Sequence, residues 1–188
     1  MDIIVDVDLT VADFVGAVCK LAGNPDRKIA TKTDWFLTAY NDEIVKHIIE
    51  QLKQKEWWLK LPTITNANKG IAWLRGQGHN LIWVTVPYNG CLGWYNARSF
   101  WLDKNFNYKK HNEPLITVSN AEKYHIWADA IIDDMPDIVD TYGSHNPSAM
   151  CLTFKSELNS HLDRELVTWD DIMSMRYFWY GQHFKKGP

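Results

Sequence analysis

Near the N-terminus, Ile3-Ile4-Val5 runs straight into Asp6-Val7-Asp8. A short apolar run that ends in acids is a buried strand delivering carboxylates to a loop, here over residues 2–8. Further continuous apolar runs lie at 80–85, 114–118, 130–133 and 149–154. Helical periodicity fills the intervals, at 11–22, 41–53, 65–77, 93–104 and 168–180, with Asn41 as a cap and Thr168 or Asp170 near the last start. Strands that are apolar throughout, alternating with helices, predict an α/β fold: a Rossmann-like parallel sheet sandwiched by helices.

The interval between the first strand and the one at 80–85 is too long for a single crossover. It predicts a small helical cap, residues 15–62, inserted into a core made of 1–14 and 63–188. The tail Lys185-Lys186-Gly187-Pro188 reads as frayed.

In an open parallel sheet, ligands bind beyond the carboxyl ends of the strands. Four polar clusters fall at such places: Asp6 with Asp8, Thr85 after Leu81-Ile82-Trp83-Val84, Lys123 ahead of the fourth strand, and Asp133-Asp134 after Ala130-Ile131-Ile132. Two carboxylates two residues apart can hold a hard cation through oxygen. One of them can instead attack phosphorus while the other handles the proton. The second acidic pair sits behind a buried strand, where a positive partner such as a divalent metal would compensate it. Each cluster alone has an ordinary structural explanation: a solvated turn, a helix N-terminus, a threonine ending a strand, a surface lysine. Their order along one sheet is what carries weight.

That ordered series, DxDxT, a strand-terminal Thr, a Lys and a strand-terminal DD, resembles the haloacid dehalogenase superfamily over most of the chain. Within it, the opening Asp6-Val7-Asp8 with Val11-Ala12-Asp13 is similar to the DVDGVLAD of the 5′(3′)-deoxyribonucleotidases. Trp57-Trp58-Leu59-Lys60-Leu61-Pro62 resembles their cap-return segment, and Thr85-Val86-Pro87 their TSP. The stretch from Tyr95 to Leu102 resembles their EKYRWV helix, and Leu166-Val167-Thr168-Trp169 their LLSW.

The resemblance implies a Mg²⁺-dependent phosphatase with an aspartyl-phosphate intermediate. Asp6 would be the nucleophile and Asp8 the general acid/base. Asp6, the Asp8 carbonyl and Asp134 would hold Mg²⁺ with Asp133 in support. Thr85, Val86 and Lys123 would lie at the phosphate, and Phe14, Trp35, Trp57 and Trp58 are candidates for contact with base and sugar. The chain departs from the family at Leu9-Thr10, where the family has Gly-Val, at Val86 in place of a serine, and at Met135 in place of a basic residue.

Charge and composition narrow the partners. The net charge of -3 and the absence of a basic stripe argue against long nucleic-acid substrates, which need a chain of phosphate contacts. No stretch reaches the roughly 20 apolar residues of a membrane span. Cys19, Cys91 and Cys151 are odd in number and form no CxxC pair, which fits free thiols in a reducing compartment. With no leader-like N-terminus, the expectation is a soluble, cytoplasmic protein. Its expected substrate is a small phosphate monoester, foremost a deoxynucleoside monophosphate. Another small ester, a nucleic-acid end, or a non-catalytic phosphate-binding module are the alternatives. A homodimer is left open.

Overall fold

The computed structural model describes residues 1–23 and 40–175. Five parallel strands form one sheet: β1 (Asp2–Asp6), β2 (Asn80–Thr85), β3 (Leu115–Thr117), β4 (Ala130–Asp133) and β5 (Met150–Thr153). Their order is β3-β2-β1-β4-β5, so β1 lies at the centre. Its register sets Asp6 beside Val84 and Val5 beside Ile132, which brings the carboxyl ends of β1, β2 and β4 level.

Both faces of the sheet are covered, which is why the strands read as continuous apolar runs. Ile3, Val5, Trp83 and Ile132 face the larger core, packed by α1 (Phe14–Leu21), α4 (Ala67–Gly76), α5 (Trp94–Phe106) and α7 (Trp169–Ser174). Ile4, Val84 and Ile131 face the opposite side, where α6 (Pro136–His145) brings Tyr142 and Ile138. The fold class matches the α/β expectation. No helix among the described residues is long and apolar enough to cross a membrane.

The predicted first strand and first helix are both longer than the observed ones. β1 stops at Asp6 and α1 starts at Phe14. Between them the chain folds into a tight turn, in which Leu9 N donates to Ala12 O and Ala12 N to Val7 O. Leu9 takes φ 60 there. A side chain in that region costs about 1–2 kcal/mol, so a leucine here has a local price in strain. Asp13 then caps α1 by accepting from Gly16 N at 3.0 Å. Val11 joined the helical pattern in sequence but sits in this turn, where its carbonyl accepts from Ile64 N at 2.8 Å.

The same place is where the segment ahead of α1 meets residues 62–64. Asp13 N donates to Pro62 O at 2.8 Å, and Ala12 bridges Thr63. After α1 and before residue 62 lie α2 (Asp42–Leu52), capped by Asn41 as its sequence implied, and the short α3 (Lys55–Trp58). The other expected elements fall within two residues of their bounds, except that α7 is described only as Trp169–Ser174; α3 and α6 are not among the expected helices, and residues after 175 lie outside the described residues.

α7 reaches back across the molecule. Its Thr168 cap forms a reciprocal capping box with Asp171. Trp169 Nε1 donates to Thr10 O at 2.9 Å, holding the turn that follows Asp8. Gly70 makes room for that ring, since a methyl there would overlap it.

Candidate active site

Asp6 and Asp133 end the adjacent strands β1 and β4, and Lys123 sits between them on a 3₁₀ helix, Asn120–His125. Lys123 Nζ donates to Asp6 Oδ1 and to Asp133 Oδ2, both at 2.6 Å. The second Asp133 oxygen accepts from Met135 N at 2.9 Å, so this carboxylate is fixed at both ends. Carboxylate oxygens of Asp6, Asp133 and Asp134 approach within 4.8 Å of one another, and all three residues are buried. Asn159 Nδ2 clamps the turn from behind by donating to Asp134 O at 2.7 Å.

One ammonium thus faces three buried carboxylates. Burial pushes the Asp6 carboxyl up to about 7, with Asp133 and Asp8 adding to it and Lys123 opposing. Burial, then Asp133 and Asp6, hold Asp134 well above the usual carboxylate range. Burial works against the Lys123 ammonium, but Asp6 and Asp133 outweigh it and raise its pKa. The cluster carries more negative charge than its lysine neutralises, and its donors are all hard oxygens. Such a donor set could hold a hard divalent cation.

Asp8 lies at the mouth of the cluster. Thr85 Oγ1, at the end of β2, donates to Asp8 Oδ2 at 3.4 Å. A cleft of about 260 Å³ opens here, with Asp6, Asp8, Lys123 and Asp134 as its polar floor. Its walls are apolar and aromatic, lined by Phe14, Trp58, Tyr88, Val86, Met135 and Leu158. Phe14 and Trp58 stack at 5.8 Å, and Trp57 meets both edge-on from outside the lining.

No protein-family model matches the sequence, and no curated protein matches it. Solved structures do match. A haloacid dehalogenase-like hydrolase from Burkholderia xenovorans LB400 superposes with a TM-score of 0.60, at 11% identity over 95% of this chain and 97% of that one. The D,D-heptose 1,7-bisphosphate phosphatase of Burkholderia thailandensis gives 0.53, at 8% identity over 95% and 97%. A hydrolase from Pseudomonas syringae gives 0.51, at 14% over 96% and 98%. The chain has the haloacid dehalogenase-like hydrolase fold.

On this haloacid dehalogenase-like sheet, Asp6, Asp8, Thr85, Lys123, Asp133 and Asp134 come together from positions up to 128 residues apart by their numbering. Val86 lines the cleft with Phe14 and Trp58. Trp35 lies outside the described residues. Sequence reasoning assigned no role to Tyr88, Leu158, Asn159 or Arg98. Arg98 is fully buried, and its Nη2 donates to Asp8 Oδ1 at 2.7 Å and Oδ2 at 2.9 Å. A sequence signal for it existed: α5 buries Trp94, Ala97, Trp101 and Leu102 at helical spacing, and Arg98 falls on that same stripe. An arginine on a core-facing stripe demands an anion.

Proposed function

We propose that the chain is a Mg²⁺-dependent phosphatase that uses Asp6 as nucleophile and takes a (deoxy)nucleoside 5′-monophosphate. The observation that carries this reading is one buried carboxylate triad, compensated by a single lysine, opening onto an aromatic-walled cleft beside Asp8. An Asp6 oxygen attacks phosphorus and the ester P–O bond breaks, leaving an aspartyl phosphate. Asp8 gives its proton to the departing oxygen. The Asp8 carboxylate then takes a proton from water, whose oxygen attacks phosphorus, and the Asp6–P bond breaks to release inorganic phosphate. Lys123 holds Asp6 in place and offers positive charge to the phosphoryl group; Thr85 adds a hydroxyl at the end of β2. Asp6, Asp134 and the Asp8 carbonyl would hold Mg²⁺, with Asp133 in support. The ion would supply charge neutralisation for the phosphoryl oxygens.

Residues 15–62 serve as the cap in this reading, and Phe14, with Trp58 stacked against it, lines the place for the base. A sugar bisphosphate, the substrate type named for the Burkholderia thailandensis protein, is favoured less. Among the described residues lining the cleft, Lys123 is the only lysine or arginine. A second phosphate would find no cationic partner among those described residues.

Turnover of dUMP, UMP and para-nitrophenyl phosphate with Mg²⁺ tests the reading. A base stacked on an aromatic face gains about 1–3 kcal/mol. Phe14→Ala is therefore expected to raise KM for both nucleotides roughly tenfold, and to change the aryl phosphate less. Sugar preference should be moderate, because an apolar site rejects an added hydroxyl by about a hundredfold at best. If the aryl ester outruns both nucleotides by a wide margin, the nucleotide assignment fails and only the phosphatase remains.

The metal site has its own test. Without metal, folded Asp6 titrates at about 7, against a reference value of 3.8, and Asp134 is raised as well. Raised carboxyls contribute stability that is full below the unfolded value and is lost as pH rises through the folded one. Metal-free protein should thus lose thermal stability from about pH 4 to about pH 7, and stabilisation by Mg²⁺ should grow over the same window. Calorimetry in buffers of different ionisation enthalpy should show proton release on Mg²⁺ binding near neutrality. Binding with no proton release would remove these carboxyls from the ligand set.

A further inference from the structure

We infer that Arg98 is a positioning residue for Asp8, and that it sets the geometry of the general acid/base step. The inference rests on the phosphatase reading above. Both Asp8 oxygens fall on one nitrogen of Arg98, Nη2, at 2.7 and 2.9 Å. The rest of the guanidinium is enclosed by tryptophans: its central carbon lies 5.2 Å from the Trp58 ring, 5.3 Å from Trp94 and 5.8 Å from Trp101. Two of these rings are themselves pinned, Trp58 Nε1 to Leu52 O at 2.8 Å and Trp101 Nε1 to Leu61 O at 2.7 Å. Arg98 Nε and Nη1 are buried and have no hydrogen-bond partner among the described residues.

A residue that only filled space between three tryptophans would be apolar. A buried guanidinium with unmet donors is unfavourable, and hydrophobic replacements of buried ion pairs are often neutral or stabilising. What the arginine adds is a fixed donor. Asp8 is partly exposed at the cleft, with 31% of its side chain accessible, whereas Arg98 is fully buried in its cage. The cage therefore orients a carboxylate whose bond from Thr85 is longer, at 3.4 Å. Trp58 is shared between cage and cleft wall, so substrate and acid/base are aligned on one frame.

The test uses the full chain with Mg²⁺ and para-nitrophenyl phosphate, on wild type, Arg98→Ala and Arg98→Met. Arg98→Met keeps the cage filled, so it reports even if the alanine variant does not fold. Loss of positioning should lower steady-state kcat about a hundredfold, with KM within about threefold of wild type. The pre-steady-state burst of nitrophenolate should persist, because attack by Asp6 on a good leaving group needs no acid. Added guanidinium should restore kcat of folded Arg98→Ala, and urea at the same concentration should not. A kcat like wild type in Arg98→Met overturns the inference. So does equal loss of burst and kcat, without recovery in guanidinium, since that is the pattern of a structural role. A wild type with no turnover of any ester overturns the phosphatase reading itself.

Discussion

Asp6→Asn is expected to lose at least about a thousandfold in turnover while folding as well as wild type. The amide has nearly the carboxylate's shape but cannot attack phosphorus. Two features of the site separate the chemical effect from folding. Lys123 keeps its 2.6 Å bond to Asp133 when the charge on Asp6 is removed. Burial and its acidic neighbours already disfavour the charged form of Asp6, so removing that charge relieves repulsion in the metal-free protein. Its thermal midpoint in chelator at mildly alkaline pH should be equal to or above that of wild type. A variant retaining a tenth of wild-type turnover would end the case for Asp6 as nucleophile.

Lys123→Met is expected to act on both stability and catalysis. It leaves Asp6, Asp133 and Asp134 packed together without their ammonium, inside a region where each is at most 5% exposed. Breaking a buried pair by deleting one partner costs about 3–5 kcal/mol. The sign of the pH dependence follows from the charges. Without Lys123 the carboxyls bind protons more tightly, so the folded variant is most stable in acid and weakens as pH rises. Urea melts in chelator should show the full deficit near pH 8 and most of it recovered near pH 5. Mg²⁺ should recover part of it at the higher pH. Turnover should fall by about a hundredfold or more, because positive charge is lost where the phosphoryl charge develops. A stability deficit of the same size at both pH values would mean that Lys123 contributes packing rather than charge.

How much of this was legible in the sequence depended on range. β2 at Asn80–Thr85 was readable because an apolar run bounded by polar residues needs only local information. The strand-terminal acids followed from the same runs. Lys123 became meaningful only through its place in an ordered series, since nothing around it distinguishes it from a surface lysine. The start of α1 was misplaced because Val11 continues a helical period, whereas tertiary pairing with the 62–64 segment pulls it into a turn. Arg98 went unassigned because its partner is 90 residues away in sequence. Adjacent tryptophans were equivalent in sequence too; packing alone puts Trp58 on the cleft and Trp57 behind it.

The bond from Trp169 to Thr10 spans 159 residues. During synthesis, β1 is the first strand made, yet it is the central one and must wait for β4 before both its edges are paired. The turn behind Asp8 waits longer still, until the tryptophan that holds its carbonyl has cleared the ribosome. A nascent chain of this protein therefore carries an open edge on β1 until β4 is made, and an unheld turn behind Asp8 until Trp169 is made. Non-local contacts of this kind slow folding and prolong exposure to aggregation. Its yield in a cell should depend on chaperones that shield strand edges far more than its folded stability alone would suggest.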